Sequence, residues 1–103
     1  MKGMGDLMKK AQKMKEDLAR VQEELASREV EASSGGGMVT VKVTGGKEVT
    51  SVMIDPSVID PEEREMLQDL VQAAVNEALR KSTEMMQEET SRIMGGLPFP
   101  DLF

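Results

Sequence analysis

The chain has 103 residues and a formal net charge of −6 at pH 7, and it contains neither cysteine nor histidine. Disulfide frameworks, zinc–thiolate sites and the common cysteine- or histidine-activated nucleophiles are therefore excluded. A chain of this length predicts one domain with a limited hydrophobic core, which favours an oligomer.

The first predicted element is a long helix over about residues 4–26. Its apolar residues recur at alternating spacings of three and four, which is the pattern of a helix that packs along one seam. The seam consists of Met4, Leu7, Ala11, Met14, Leu18, Val21 and Leu25. The pattern fits a helix that packs on its own domain and equally one that pairs with a second subunit, and the sequence leaves both open.

Positive charge is concentrated in this helix, although the whole chain is acidic. Residues 1–20 contain six basic and three acidic side chains, a local charge of +3, whereas residues 55–94 contain four basic and ten acidic side chains, a local charge of −6. Such a basic segment can bind a polyanion by itself. The overall acidity argues against tight nucleic-acid binding by a monomer.

Three short strands are predicted next, over about residues 29–34, 38–44 and 48–54. The second alternates valines with other side chains, which is the period of a strand with one buried face. Gly45-Gly46 predicts a two-residue hairpin loop, because both positions can adopt a positive φ. The three segments therefore predict an antiparallel meander. A phosphate-binding loop is rejected, because neither glycine run ends in Gly-Lys-Ser/Thr ahead of a helix.

A second long helix is predicted over about residues 61–94. Asp60 followed by Pro61 is typical of a helix start, with the aspartate as the N-terminal cap. The apolar stripe of the helix is Leu67, Leu70, Val71, Ala74, Ala78 and Leu79. The acidic residues near its start are assigned to capping and to the helix dipole rather than to a metal ion, so neither a metal nor a cofactor is predicted. These residues are Asp55, Asp60, Glu62 and Glu63.

Gly95-Gly96 predicts the end of this helix, so the domain is assigned to residues 1–96 and residues 97–103 to a flexible tail. The tail contains two prolines, two leucines and the only two phenylalanines of the chain. Its apolar side chains could dock onto a groove. No arrangement of serines, lysines or carboxylates indicates an active site, so an enzyme is not predicted. No apolar run is long enough for a membrane span, and a cytoplasmic protein is expected.

Several stretches together resemble the YbaB/EbfC family of bacterial nucleoid-associated proteins. They are Met8–Met14 (MKKAQKM), the glycine-rich hairpin with Ile54-Asp55-Pro56, and Leu67–Ala74 (LQDLVQAA) with Asn76. The resemblance covers roughly residues 5–103. It implies an α+β fold with the order long helix, three-stranded antiparallel meander, long helix (α-β-β-β-α), forming a tweezer-like homodimer through the sheets. The residues then expected at the dimer interface are Val39, Val41, Val43, Val52 and Ile54.

The resemblance also implies binding of double-stranded DNA with weak sequence preference, and association with the nucleoid in organisation and gene regulation. Family helices are thought to meet the DNA. Together with the charge pattern, this predicts DNA contacts from Lys2, Lys9, Lys10, Lys13, Lys15, Arg20, Arg80, Lys81 and Arg92. A prefoldin-like holdase or a protein adaptor, acting through the methionine-rich helices or the tail, stays open as an alternative. A replication or recombination protein reached through the tail at Phe99–Phe103 is a third possibility.

Overall fold

The computed structural model describes residues 2–93 and the side chains of residues 3–93. Helix α1 spans Lys2–Ser27, strands β1, β2 and β3 span Glu29–Ser34, Val39–Thr44 and Val49–Ile54, and helix α2 spans Arg64–Ile93. Single 3-10 turns at Pro56–Val58 and Pro61–Glu63 connect β3 to α2. The α+β class with the order α-β-β-β-α is confirmed. The predicted helix end at Gly95-Gly96 and the predicted tail at 97–103 lie outside the described residues.

The three strands form one antiparallel sheet in the order β1-β2-β3. In the central strand, Val41 lies opposite Ala32 of β1 and opposite Val52 of β3. Helix α2 packs across β1 and β2, on the face of the sheet that carries Val41 and Val52. Strand β3 lies at the far edge of the sheet and makes few contacts with α2. Val49 and Val52 on β3 consequently remain 44% and 46% exposed.

The core lies between α2 and the central strand and is aliphatic. Val39, Val41 and Val43 are fully buried, and they face a stripe of α2 on which Ala74 and Ala78 are also fully buried. The two alanines are one helical turn apart, so they share a face, and their small side chains allow the helix to lie close to the sheet. Each buried valine contributes about 2 kcal/mol relative to an exposed one.

The hairpin between β2 and β3 differs from the sequence prediction. Its loop has three residues rather than two, because Thr44 N donates to Glu48 O at 2.9 Å and Lys47 N donates to Thr44 O at 3.0 Å. Lys47 has the positive φ, 68°, and neither Gly45 nor Gly46 has one. The predicted two-residue loop at Gly45-Gly46 is therefore wrong, and the positive φ for which these glycines were expected to serve lies at Lys47.

Glycine is required at position 45 by a contact with another element. A Cβ atom at Gly45 would lie 2.1 Å from the carbonyl oxygen of Leu25, at the end of α1. The Gly45 N–H group also donates to the carbonyl oxygen of Arg28 at 3.0 Å. The close approach of two backbones fixes the residue type here.

Helix α1 contacts the rest of the chain only near its C-terminal end. Leu25 is 4% exposed and Val21 is half-buried, whereas every residue from Gly3 to Glu16 is exposed. The molecule is elongated, with principal extents of 74 × 21 × 16 Å. The first half of the predicted seam therefore has no partner within residues 2–93. Neither described helix combines the length and the apolar character needed to cross a membrane.

Candidate nucleic-acid interface

The exposed half of α1 displays four lysines around its axis. Lys9 and Lys13 are four residues apart, so they lie on one face of the helix, and this face is opposite the apolar seam. Lys10 and Lys15 flank the seam on its two sides. All four side chains are exposed, and none forms an ion pair within 4.0 Å among the described residues. They are therefore available to an anionic ligand such as a phosphate backbone.

Arg20 continues the face of Lys9 and Lys13 towards the sheet, seven residues beyond Lys13. Its Nη2 atom lies 3.1 Å from the Oδ1 atom of Asp17, one turn earlier. A solvent-exposed pair of this kind is worth roughly 0–1 kcal/mol, so a phosphate could displace the aspartate at little cost. Lys2 begins the same helix, and its side chain lies outside the described part of the structure.

The arginines of α2 are held by neighbouring carboxylates. Arg80 donates to both Glu77 and Glu84, and its hydrogen bonding to Glu77 is the largest cause that raises the pKa of Arg80 above its usual value. The same contact lowers the pKa of Glu77. Arg92 lies 3.4 Å from Glu89. These side chains form local acid–base pairs on an acidic helix, and a phosphate would have to compete with the carboxylates.

Lys81, the remaining basic residue predicted on α2, is directed to the sheet. Its Nζ atom donates to the carbonyl oxygen of Glu31 at 3.0 Å, on the outer side of β1. The ammonium group therefore satisfies a backbone acceptor of an edge strand. The structure thus separates the predicted DNA contacts into unpaired lysines on α1 and engaged basic residues on α2.

One polar contact was missed by the sequence reasoning, which considered Lys47 only as part of a phosphate loop. The Lys47 Nζ atom donates to Thr83 Oγ1 at 2.6 Å and to Ser82 Oγ at 3.1 Å, and burial lowers its pKa. Ser82 is fully buried and donates to the carbonyl oxygen of Thr44 at 2.8 Å. The contact ties the hairpin to α2. The signal for this contact in the sequence was Ser82, a polar residue four positions after Ala78 on the buried stripe of α2.

The acidic residues at the start of α2 cap short turns. Asp55 Oδ1 accepts from Ser57 N at 2.8 Å, and Asp60 Oδ1 accepts from Glu62 N at 3.0 Å. The hydrogen bond from the Ser57 backbone is the largest cause that lowers the pKa of Asp55. Within residues 2–93, no group of three or more acidic side chains is placed to hold a metal ion.

The five residues predicted at a dimer interface occupy two environments. Val39, Val41 and Val43 are fully buried in the core of the single chain. Val52 is 46% exposed and Ile54 is half-buried, both on the edge strand β3. A second copy could reach the β3 pair without displacing α2.

Comparison with known proteins identifies the family. A family model described as the YbaB/EbfC DNA-binding family matches residues 1–97. The chain belongs to the YbaB/EbfC DNA-binding family. The resemblance seen in the sequence is therefore confirmed.

Curated relatives of this YbaB/EbfC chain are similar over almost its whole length. It is 53% identical over 100 residues to a nucleoid-associated protein of Alkaliphilus metalliredigens, covering 97% of this chain and 88% of the relative. It is 56% identical over 101 residues to a nucleoid-associated protein of Acetivibrio thermocellus, covering 97% and 89%. A crystal structure of an uncharacterized protein from Helicobacter pylori has a TM-score of 0.70 at 24% identity, covering 91% of this chain and 96% of that one. At this identity the likeness concerns the fold.

Proposed function

We propose that this YbaB/EbfC protein binds double-stranded DNA as a non-enzymatic homodimer, through the lysines of α1. The family is described by DNA binding, and its curated relatives are named nucleoid-associated proteins. The observation that supports the mode of binding is the exposed set of four unpaired lysines on a helix that projects from the sheet. The protein would then act on the nucleoid, in its organisation and in gene expression.

The geometry of the lysines suits the phosphate backbone. Residues four apart on a helix are separated by about 6 Å along its axis, and phosphates of one strand follow at about 3.4 Å of rise. Lys9 and Lys13 could therefore engage phosphates of one strand together. Phosphate contacts position a protein without specifying sequence, so a weak sequence preference is expected. The described residues contain no aromatic side chain for stacking on single-stranded bases, which favours duplex DNA.

A dimer through β3 would double this basic surface. An edge strand presents unpaired backbone N–H and C=O groups, and on β3 these lie next to the half-exposed side chains of Val49 and Val52. Pairing of two β3 strands would satisfy the backbone groups and cover the valines. Since Val39, Val41 and Val43 are already buried in one chain, the proposed interface consists of β3 residues, including Val52 and Ile54.

The dimer proposal is tested by changing one residue of the β3 edge. Val52→Lys places a charge on that edge and should reduce the mass in solution from twice 11.3 kDa to 11.3 kDa. The matched control is Ile59→Lys, because Ile59 is 60% exposed and lies outside the sheet. A Val52→Lys protein that keeps the mass of the unchanged protein would contradict an interface at β3.

DNA binding is tested by titrating a short labelled duplex at several salt concentrations. Each phosphate neutralised by a cation contributes about 0.9 to the slope of log K against log salt. Lys9→Gln with Lys13→Gln removes four charges from a dimer, so the slope should fall by about 3–4. Arg80→Gln with Arg92→Gln removes the same number from α2 and should change the slope little, because the acidic side chains around both arginines disfavour a polyanion on this helix.

Two results of this titration would count against the proposal. Absence of any complex at low salt would reject DNA binding itself. An equal loss of slope in the α1 and α2 variants would reject α1 as the contact surface and would indicate a response to overall charge.

One observation favours a second candidate function, a holdase or adaptor for other proteins. Met4 and Met8 on α1 are 67% and 71% exposed, and methionine adapts readily to varied apolar partners. Suppression of the aggregation of a denatured client, unaffected by salt, would support this function. A replication or recombination partner for residues 97–103 also stays a proposal, tested by loss of a captured partner after deletion of these residues with DNA binding retained.

A further inference from the structure

The first half of α1 carries an apolar stripe that nothing among residues 2–93 covers. Met4, Leu7 and Met8 are 67%, 68% and 71% exposed, and Met14 is 40% exposed. The stripe runs from Met4 to Met14, which is about 15 Å along the helix axis. Ala11 and Ala19 are small, so they leave a shallow depression beside the stripe, which Met8, Gln12, Lys15 and Glu16 also line. Contiguous apolar surface of this kind on a helix indicates a binding face.

We propose that residues 97–103 of the same chain dock on this stripe. This segment, LPFPDLF, contains four large apolar side chains in seven residues, including the only two aromatic residues of the protein. Its two prolines restrict φ and exclude a regular helix, so it would bind as an extended segment. An extended segment of this size suits a shallow depression beside one helix.

The segment is long enough to reach the stripe. Helix α2 passes the end of α1, since Met86 Sδ would lie 3.1 Å from a Cβ at Gly45, beside Leu25, and Glu89 pairs with Arg28 at 4.0 Å. The ten residues after Ile93 can span about 33 Å when extended. This is longer than the distance along α1 from the half-buried Leu18 to Met4, which is about 21 Å. Two glycines directly after Met94 allow the chain to change direction.

Charge favours this segment over a second copy of α1 as the occupant. Lys10 and Lys15 flank the stripe, so two α1 helices packed along it would bring four ammonium groups together. Residues 97–103 contain one acidic residue, Asp101, and no basic one, so they can lie between the lysines. Lys9 and Lys13 stay on the opposite face, so docking leaves these two lysines available to DNA.

The two phenylalanines allow a direct test by proton NMR. All aromatic ring signals arise from Phe99 and Phe103, and the absence of cysteine permits a single nitroxide label at an introduced one. A nitroxide at Asp6→Cys, an exposed position of α1 that does not line the depression, should remove most of the intensity of both ring signals. The same label at Gln72→Cys, an exposed glutamine on α2, should leave them intact. Sharp, unaffected ring signals with the Asp6 label would overturn the proposal.

A variant of the stripe and its control give a second measurement. Leu7→Gln should return the ring signals to the positions found in a free peptide of sequence LPFPDLF, because the docking face becomes polar. Glutamine is a good helix former, so the helix content measured by circular dichroism should stay unchanged. Met53→Gln changes a residue of similar exposure, 61%, on β3 and should leave the ring signals in place. Equal shifts in both variants would contradict docking on α1.

A mixture separates docking within one chain from docking on a second copy. The Asp6-labelled protein carrying Phe99→Leu and Phe103→Leu has no ring signals of its own. When it is mixed with the unlabelled, unchanged protein and allowed to exchange subunits, docking within one chain predicts no loss of ring intensity. A loss in this mixture would assign the segment to the α1 helix of another copy and would overturn the proposal.

Discussion

Gly45 shows how one residue can join three elements of the fold. The position lies in the β2–β3 loop, its N–H group donates to Arg28 O before β1, and its α-carbon faces the last carbonyls of α1. A side chain here would have to displace backbone atoms, which is harder than displacing the end of a flexible side chain. The residue therefore controls how closely the hairpin approaches α1.

Gly45→Ala should lower the free energy of unfolding, measured in urea at fixed protein concentration, by on the order of 3 kcal/mol. The cost arises because the new Cβ would lie 2.1 Å from Leu25 O unless α1 shifts. Gly5→Ala is the control, since it lies on α1 with nothing within 4 Å of an added Cβ. It should leave stability unchanged or raise it by up to about 1 kcal/mol, because alanine is the better helix former. Equal effects of the two substitutions would contradict the contact.

The cap at Asp55 predicts a pH dependence of stability. Because the folded-state pKa of Asp55 lies below its ordinary value, the folded protein favours the ionised carboxylate. The contribution is present above the unfolded-state pKa and is lost as the pH falls through the lower folded-state pKa. Asp55→Asn should therefore lower stability at pH 7 and weaken the decline between about pH 5 and pH 2, followed by urea unfolding across pH. A decline identical to that of the unchanged protein would exclude this carboxylate as a cause.

At the scale of elements, the strong periodicities were sufficient to predict both helices and all three strands. The alternation in β2 identified Val39, Val41 and Val43 as one face, and that face is the one buried against α2. The requirement for glycine at position 45 could not be predicted from periodicity, because it arises from a contact with residues about 20 positions earlier in the chain. Ser82 and Thr83, which accept hydrogen bonds from Lys47, lie 35 and 36 positions after it in the chain, and periodicity carries no information on such pairs.

The candidate nucleic-acid interface could likewise be predicted only where its features are local in the sequence. The lysines of α1 were identified from local charge, and their exposure follows from a seam that leaves them on other faces. The engagement of Arg80 by Glu77 and Glu84 involves spacings of three and four, so the sequence contained that signal. The bond of Lys81 to Glu31 O depends on how α2 crosses β1, which the sequence alone does not specify.

The packing of α2 on the sheet predicts a strong contrast between neighbouring alanines. Ala78 is fully buried against the sheet, and Ala73 is exposed on the same helix. Ala78→Leu should lower the free energy of unfolding by about 1–3 kcal/mol, because the helix must move away from the valines of β2. Ala73→Leu should change it by less than about 0.5 kcal/mol. Urea unfolding of the two variants measures this, and similar losses would contradict the close packing.

At the scale of the whole molecule, the proposed dimer makes stability depend on protein concentration. Association of folded chains through β3 favours folding by mass action, so Tm should rise when the protein concentration is raised. Val52→Lys should abolish the rise, whereas Ile59→Lys should retain it. Thermal unfolding at concentrations spanning two orders of magnitude provides the measurement, and a constant Tm for the unchanged protein would speak against the dimer.

The length of the molecule and its charge together determine the net charge of a DNA duplex to which many copies of the protein are bound. The described residues extend 74 Å, which equals about two turns of B-DNA and a stretch with about 40 phosphates. Against these phosphates one chain brings four unpaired lysines on α1, yet its net charge is −6. A duplex lined with such chains would be more negative than bare DNA. Neighbouring coated segments would repel one another, so the protein would keep DNA spaced and accessible rather than condense it.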